Sequence, residues 1–200
     1  MEPRVKLWER PPGREFSPLM PMDQYHSNSL RRGRHSKVGL YYALTKCCQG
    51  RTPFLARCVN GQVMAEIVVD CIREMESRAI WSCSGFVVMP DHLHLAVKLL
   101  SGDLSAAMKS FSSFTGSRIN AELQRKGPFW QTGYHEHAIR GEKSLAAFLE
   151  YIAMNPVRAG LIEDFRQWPY SSFRTDSGSS LGQNFRRQEA APTTTDGVEP

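Results

Sequence analysis

Two hydrophobic periods alternate along this chain. A period of two marks Val38 to Thr45, Gly85 to Met89, His92 to Leu99 and His135 to Arg140 as strands. Pro90 and Asp91 supply a turn between the middle two, which form a hairpin. A helical period marks about Val63 to Ser77. A second helix starts behind Asp103 or Ser105 and runs through Met108, Phe111, Phe114 and Ile119 to about Leu123, with Gly116 a weak point inside it. The third runs from about Glu142 to Met154, and Pro156 biases the residue before it away from helix. The order βαββαβ plus a final helix predicts an α+β fold: a ferredoxin-like or RRM-like antiparallel sheet with helices on one face and an added C-terminal helix.

The periods fade at both ends. Residues 1 to about 36 mix Pro, Gly, Met and Arg without periodicity and read as an irregular extension ending in the basic cluster Arg31, Arg32, Arg34, His35 and Lys37, either a solvated tail or a DNA contact. From about Arg174 onward Ser, Thr, Gly, Gln and Pro dominate, and the stretch to residue 200 is expected to be disordered. That leaves 37–173 as one domain. A formal charge of +5 favours an anionic partner. Five cysteines, Cys47 and Cys48 adjacent, make neither a disulfide framework nor a zinc motif, which suits a reducing cytoplasm. The N-terminus lacks an apolar signal core, and nowhere do about 18 uncharged apolar residues run together, so no membrane segment is expected.

The strand from His92 carries the first candidate chemistry. Alternate residues share a face, so His92 and His94 point one way while Leu93, Leu95 and Val97 point the other. Two neutral imidazoles at i and i+2 can share one divalent ion, and two ligands leave open positions for substrate oxygens or water. The same pattern also describes two exposed histidines with no ligand. In the third helix Leu145, Phe148, Leu149 and Ile152 form an apolar stripe that docks on the sheet. Tyr151 and Asn155, four apart, sit off that stripe and project together. If they face the histidines, Asn155 can be a third ligand through its oxygen; otherwise Tyr151 is an amphipathic residue at the edge of a core. His135 and His137 are rival ligands and Tyr134 a rival nucleophile, while Asp91 and Glu136 are candidates to orient an imidazole. Lys109, Arg118, Arg125, Lys126, Arg140, Lys143 and Arg158 could line a phosphate path or be solvated charges. Phe129, Trp130 and Trp168 are candidates for stacking on bases or for core packing.

Four ordered motifs carry a family resemblance: Val88-Met89-Pro90-Asp91-His92-Leu93-His94, Gly127-Pro128-Phe129-Trp130-Gln131, Tyr151-Ile152-Ala153-Met154-Asn155-Pro156-Val157-Arg158-Ala159-Gly160, and Trp168-Pro169-Tyr170-Ser171-Ser172-Phe173. From about Gly39 to Phe173 the chain resembles the REP-associated tyrosine transposases, members of the HUH (histidine, hydrophobic, histidine) single-strand nucleases. The resemblance implies His92 and His94 as metal ligands, Tyr151 as nucleophile and Asn155 completing or supporting the metal site, where many relatives in the wider superfamily carry Gln. It places Tyr134 in a packing position. It implies attack of Tyr151 on single-stranded DNA beside a short hairpin, a 5′-phosphotyrosine link, a free 3′-hydroxyl, and action as a monomer or homodimer. Mg2+ or Mn2+ is expected because a hard, anionic phosphate oxygen suits such ions. A non-catalytic single-strand binder and a metal-dependent hydrolase of small phosphoesters are the competing classes.

Overall fold

The computed structural model describes residues 36–175. The N-terminal extension with Arg31 and Arg32, and the tail beyond 175, lie outside the described residues. Four strands form one antiparallel sheet: β1 (Tyr41–Cys47), β4 (Trp81–Val88), β5 (His92–Leu99) and β6 (His135–Ile139), in the spatial order β4-β5-β1-β6. That is the ferredoxin-like arrangement. A two-stranded ribbon, β2 (Cys58–Val59) and β3 (Gln62–Val63), precedes the first helix.

Helices α1 (Met64–Ser77) and α2 (Leu104–Glu122) cover one face of the sheet. Their buried side, including Ile67, Val68, Ile72, Met108, Phe111 and Ile119, meets Tyr42, Leu44, Trp81, Phe86, Leu93, Leu95 and Val97 from the strands. Asp103 caps α2, its carboxylate accepting from the Ala106 N–H at 3.0 Å. Gly116 does not interrupt α2. A Cβ there would stand 3.3 Å from Phe129 Cβ and 3.5 Å from Trp130 Cδ1, so the glycine lets the 129–130 segment lie against the helix.

Helix α3 (Glu142–Ala153) packs on the opposite face, over β4 and β5. Gly85 makes the docking possible: a Cβ at this position would stand 2.7 Å from Leu149 Cδ2 and 2.8 Å from Phe173 Cζ. A four-residue helix α4 (Asn155–Arg158) follows. The chain then returns to the β4 edge, where Val88 N–H donates to Tyr170 O at 2.9 Å and Trp168 Nε1 to Val88 O at 3.0 Å. Pairing of this segment covers an edge that would otherwise be open.

Three expected boundaries shift. The first strand begins at Tyr41 rather than Val38, because Gly39 turns the chain with a φ of +89°. The expected Gly85–Met89 strand extends back to Trp81 through a bulge between Cys83 and Gly85. The third helix ends at Ala153, one residue earlier than expected.

Candidate active site

The alternation of β5 sends Leu93, Leu95, Val97 and Leu99 into the core under α1 and α2, and His92, His94 and Ala96 to the other face. The two imidazoles stand edge to face, with Nε2 atoms 3.1 Å apart. Each Nδ1 has an outer partner: Asp91 Oδ1 lies 2.6 Å from that of His92, and Thr45 Oγ1 lies 2.9 Å from that of His94. Thr45 reaches His94 because the two are directly opposed across β1 and β5. The second oxygen of Asp91 accepts from Arg51 Nε at 3.0 Å.

The electrostatics keep this pair suited to a cation. Burial, then the nearby His92 and Arg51, hold His94 well below the usual histidine range, so it stays neutral. Burial pushes Asp91 up, but its hydrogen bond to His92 and the charges of His92 and Arg51 outweigh that and lower it overall. An ionised Asp91 can only accept, so His92 donates Nδ1–H to it, which leaves Nε2 turned inward toward His94. The Thr45 hydroxyl both donates and accepts, and so serves either tautomer of His94.

These residues fit a divalent ion. Two donors about 2.1 Å from a metal at a right angle stand about 3.0 Å apart, close to the 3.1 Å observed between the Nε2 atoms. Among the described residues no group of three or more His, Cys, Asp or Glu side chains could hold a metal, so further ligands must come from an amide, substrate or water. Asn155, the first residue of α4 and four positions beyond Tyr151, is the candidate amide. Its Nδ2 is the one buried side-chain polar atom without a partner among the described residues. Amide nitrogen and oxygen are interchangeable by a flip, so the same place can hold a free carbonyl acceptor.

Tyr151 meets the pair from α3. Leu149, Ile152 and Ala153 pack with Val87, Ala96 and Phe173, and this seam brings the half-buried Tyr151 ring within 6.1 Å of the His94 ring, centroid to centroid. Arg158 stands over the tyrosine ring, its Cζ 5.0 Å from the centroid, and donates to Tyr151 O at 3.2 Å. The carbonyl left over where α3 stops thereby gains a donor, and the nucleophile candidate is gripped at both ring and backbone.

The rival groups fall elsewhere. His135 and His137 are exposed on the same sheet face as the pair, at register positions opposite Thr45 and Ala43, and join no metal-binding group. Glu136, opposite Leu44, faces the other layer. Tyr134 packs at the border of the large core. Phe129, Trp130 and Trp168 are buried, with Trp130 Nε1 donating to Thr115 Oγ1 at 2.9 Å, so the packing alternative holds for all three.

The candidate phosphate-contact residues lie on both sides of the sheet. Exposed Lys109 and Arg118 lie on α2, across the sheet from the histidines, with Lys126 beyond its end. Arg140 and Lys143 are exposed beside α3. Arg125 is engaged within the protein, donating to Asn120 Oδ1 at 2.5 Å and standing 4.3 Å from the Phe54 ring centroid. A cavity of about 370 Å3 between α2 and residues 129–133 is on the α2 side as well, and no residue of the histidine and tyrosine group lines it. Two participants were not singled out in the sequence, Thr45 and Arg51. Both act through contacts between strands or turns that no local period encodes.

A ferredoxin-like sheet that presents a histidine, hydrophobic, histidine strand to a helix-borne tyrosine is the layout of an HUH single-tyrosine transposase domain. Residues 36–155 match the family described as "Transposase IS200 like", and the chain belongs to that family. It is 32% identical over 159 residues to a Haemophilus influenzae protein named "Putative REP-associated tyrosine transposase", spanning 70% of this chain and 83% of the relative. It is 30% identical over 104 residues to the REP-associated tyrosine transposase of Escherichia coli, spanning 49% of this chain and 58% of that protein. The fold is shared with a solved REP-associated tyrosine transposase bound to a REP hairpin, at a TM-score of 0.59 and 24% identity over 74% of this chain and 85% of that one.

Proposed function

We propose that this chain is a hairpin-directed DNA strand transferase in which Tyr151 is the nucleophile and His92, His94 and Asn155 hold a divalent ion. The observation that carries this reading is the convergence of the His92 and His94 Nε2 atoms, 3.1 Å apart, beside a tyrosine ring 6.1 Å from His94. Tyr151 Oη forms a bond to the scissile phosphorus, the bond from phosphorus to the 3′ oxygen breaks, and the phenol proton is lost as the 3′ oxygen gains one. The product is a 5′-phosphotyrosine with a free 3′-hydroxyl; attack by another 3′-hydroxyl reverses the step and rejoins strands. A divalent ion such as Mg2+ or Mn2+ held by His92, His94 and Asn155 would polarise a non-bridging phosphate oxygen and offset the negative charge that develops there. Asp91 and Thr45 orient the imidazoles, and Arg158 holds the tyrosine ring in place.

The substrate assignment, a REP-type hairpin, is supported by the fold shared with a transposase solved bound to a REP hairpin; the single-stranded flank is part of the proposal. Tyr151 lies beside His94 of the same chain, which supports action by a monomer. The free thiols of Cys47, Cys48, Cys58, Cys71 and Cys83 support a cytoplasmic setting. No helix among the described residues is long and apolar enough to cross a membrane. Incubation with labelled hairpin oligonucleotides and Mn2+, resolved on a denaturing gel, tests the reading. A covalent adduct that needs metal and vanishes in Tyr151→Phe and His92→Ala is expected; DNA binding by all three proteins without any adduct would favour a non-catalytic binding module.

A further inference from the structure

The turn after β1 fixes a cation behind the histidine pair. Gly50 and Arg51 both adopt left-handed backbone, at φ of 63° and 54°, and Arg51 N–H donates to Cys48 O at 3.0 Å. The neighbouring Cys48 N–H donates to Asp91 O at 2.8 Å, so this turn and the one before β5 are knitted together. Arg51 Nε then donates to Asp91 Oδ2 at 3.0 Å while Nη1 lies 3.0 Å from Cys47 Sγ. Asp91 spans the guanidinium and His92 with its two oxygens.

More than a staple is present. The Arg51 side chain is 51% exposed, and its Nη2 has no protein hydrogen bond among the described residues. A bare Asp91 carboxylate at this place would repel a polyanion arriving at His92, and the guanidinium offsets that charge. With Nε held by Asp91 and Nη1 by Cys47 Sγ, the planar fork still presents the N–H donors of Nη2, which suit a phosphate oxygen.

We propose that Arg51 binds a phosphate of the DNA strand flanking the one that docks at the histidine pair. This rests on the strand-transfer reading of that site. One carboxylate and one imidazole ring separate the guanidinium from His92 Nε2, so Arg51 addresses a neighbour of the attacked phosphate and sets affinity and register. Asp91 acts as its tether. The arrangement couples correct seating of the strand to the same carboxylate that orients a metal ligand.

The test uses the full chain carrying Tyr151→Phe, so that no covalent product forms, and compares it with the same protein carrying Arg51→Gln or Arg51→Lys. Affinity for a hairpin oligonucleotide with a single-stranded flank is measured across a salt series. Arg51→Gln is expected to weaken binding about three- to tenfold and to lower the slope of log K against log salt by about 1, with Arg51→Lys recovering most of the slope. In the Tyr151 background, Arg51→Gln should raise the DNA concentration for half-maximal adduct formation and leave the rate at saturating DNA within about threefold. An unchanged slope and affinity, or a saturated rate that collapses while affinity is kept, overturns the proposal and leaves Arg51 as a support for Asp91 alone. Absence of any adduct in the Tyr151 protein would instead count against the strand-transfer reading, and the salt slope would still report on Arg51.

Discussion

The two faces of the sheet do different work. Under α1 and α2 lies a broad apolar layer in which Trp81, Phe111, Leu93 and Leu95 are fully buried. Under α3 lies a smaller patch, chiefly Val87, Met89, Ala96, Leu149, Ile152, Trp168 and Phe173, and the same face also carries the polar group of His92, His94 and Thr45. Folding free energy is concentrated in the first layer, at roughly 1.5–3 kcal/mol for each large side chain removed from water. With the fold secured there, the second face can carry buried polar groups. The consequence is that the placement of Tyr151 rests on few contacts.

Truncation in the large layer should have the greatest effect. Phe111→Ala is expected to cost about 3–5 kcal/mol, seen as a large drop in thermal midpoint or failure to fold. Gly85→Val attacks the small patch instead, since its new side chain must displace Leu149 and Phe173. Adduct formation should fall about a hundredfold, because small misplacements of a reacting group are costly. Hydrogen exchange should show lost protection in α3 with α1 and α2 unchanged; equal loss in both layers would erase the distinction between faces. Asp91→Asn should leave the fold intact and weaken Mn2+ binding about 10- to 100-fold, read by electron paramagnetic resonance without DNA. Thr45→Val is the mildest, removing one buried hydrogen bond to His94, and should slow the adduct about fivefold, in line with about 1 kcal/mol.

The same contrast explains what could be read from the sequence. The element order, the split of β5 into an apolar and a histidine face, and the docking stripe of α3 are local periodicities and were legible. The first half of β4 was not: Trp81 and Cys83 face the large core, and so do Phe86 and Val88, because the bulge between Cys83 and Gly85 shifts the alternation by one residue. The β2 and β3 ribbon has strands of two residues, too short for any period to show. Thr45 and Arg51 escaped because their importance lies in partners, His94 and Asp91, that are close in space and remote along the chain. From the sequence Arg158 is either a phosphate contact or a solvated charge; its hold on Tyr151 depends on α3 stopping at Ala153 and so carries no local signal.

The central claim is that the second face gathers His92, His94 and Tyr151 into one metal-dependent site. Anomalous diffraction from crystals soaked in Mn2+ tests it directly. The account predicts a manganese peak bonded to the Nε2 atoms of His92 and His94 on the side facing Tyr151; a peak at His135 and His137 with the His92 pair left empty would contradict it.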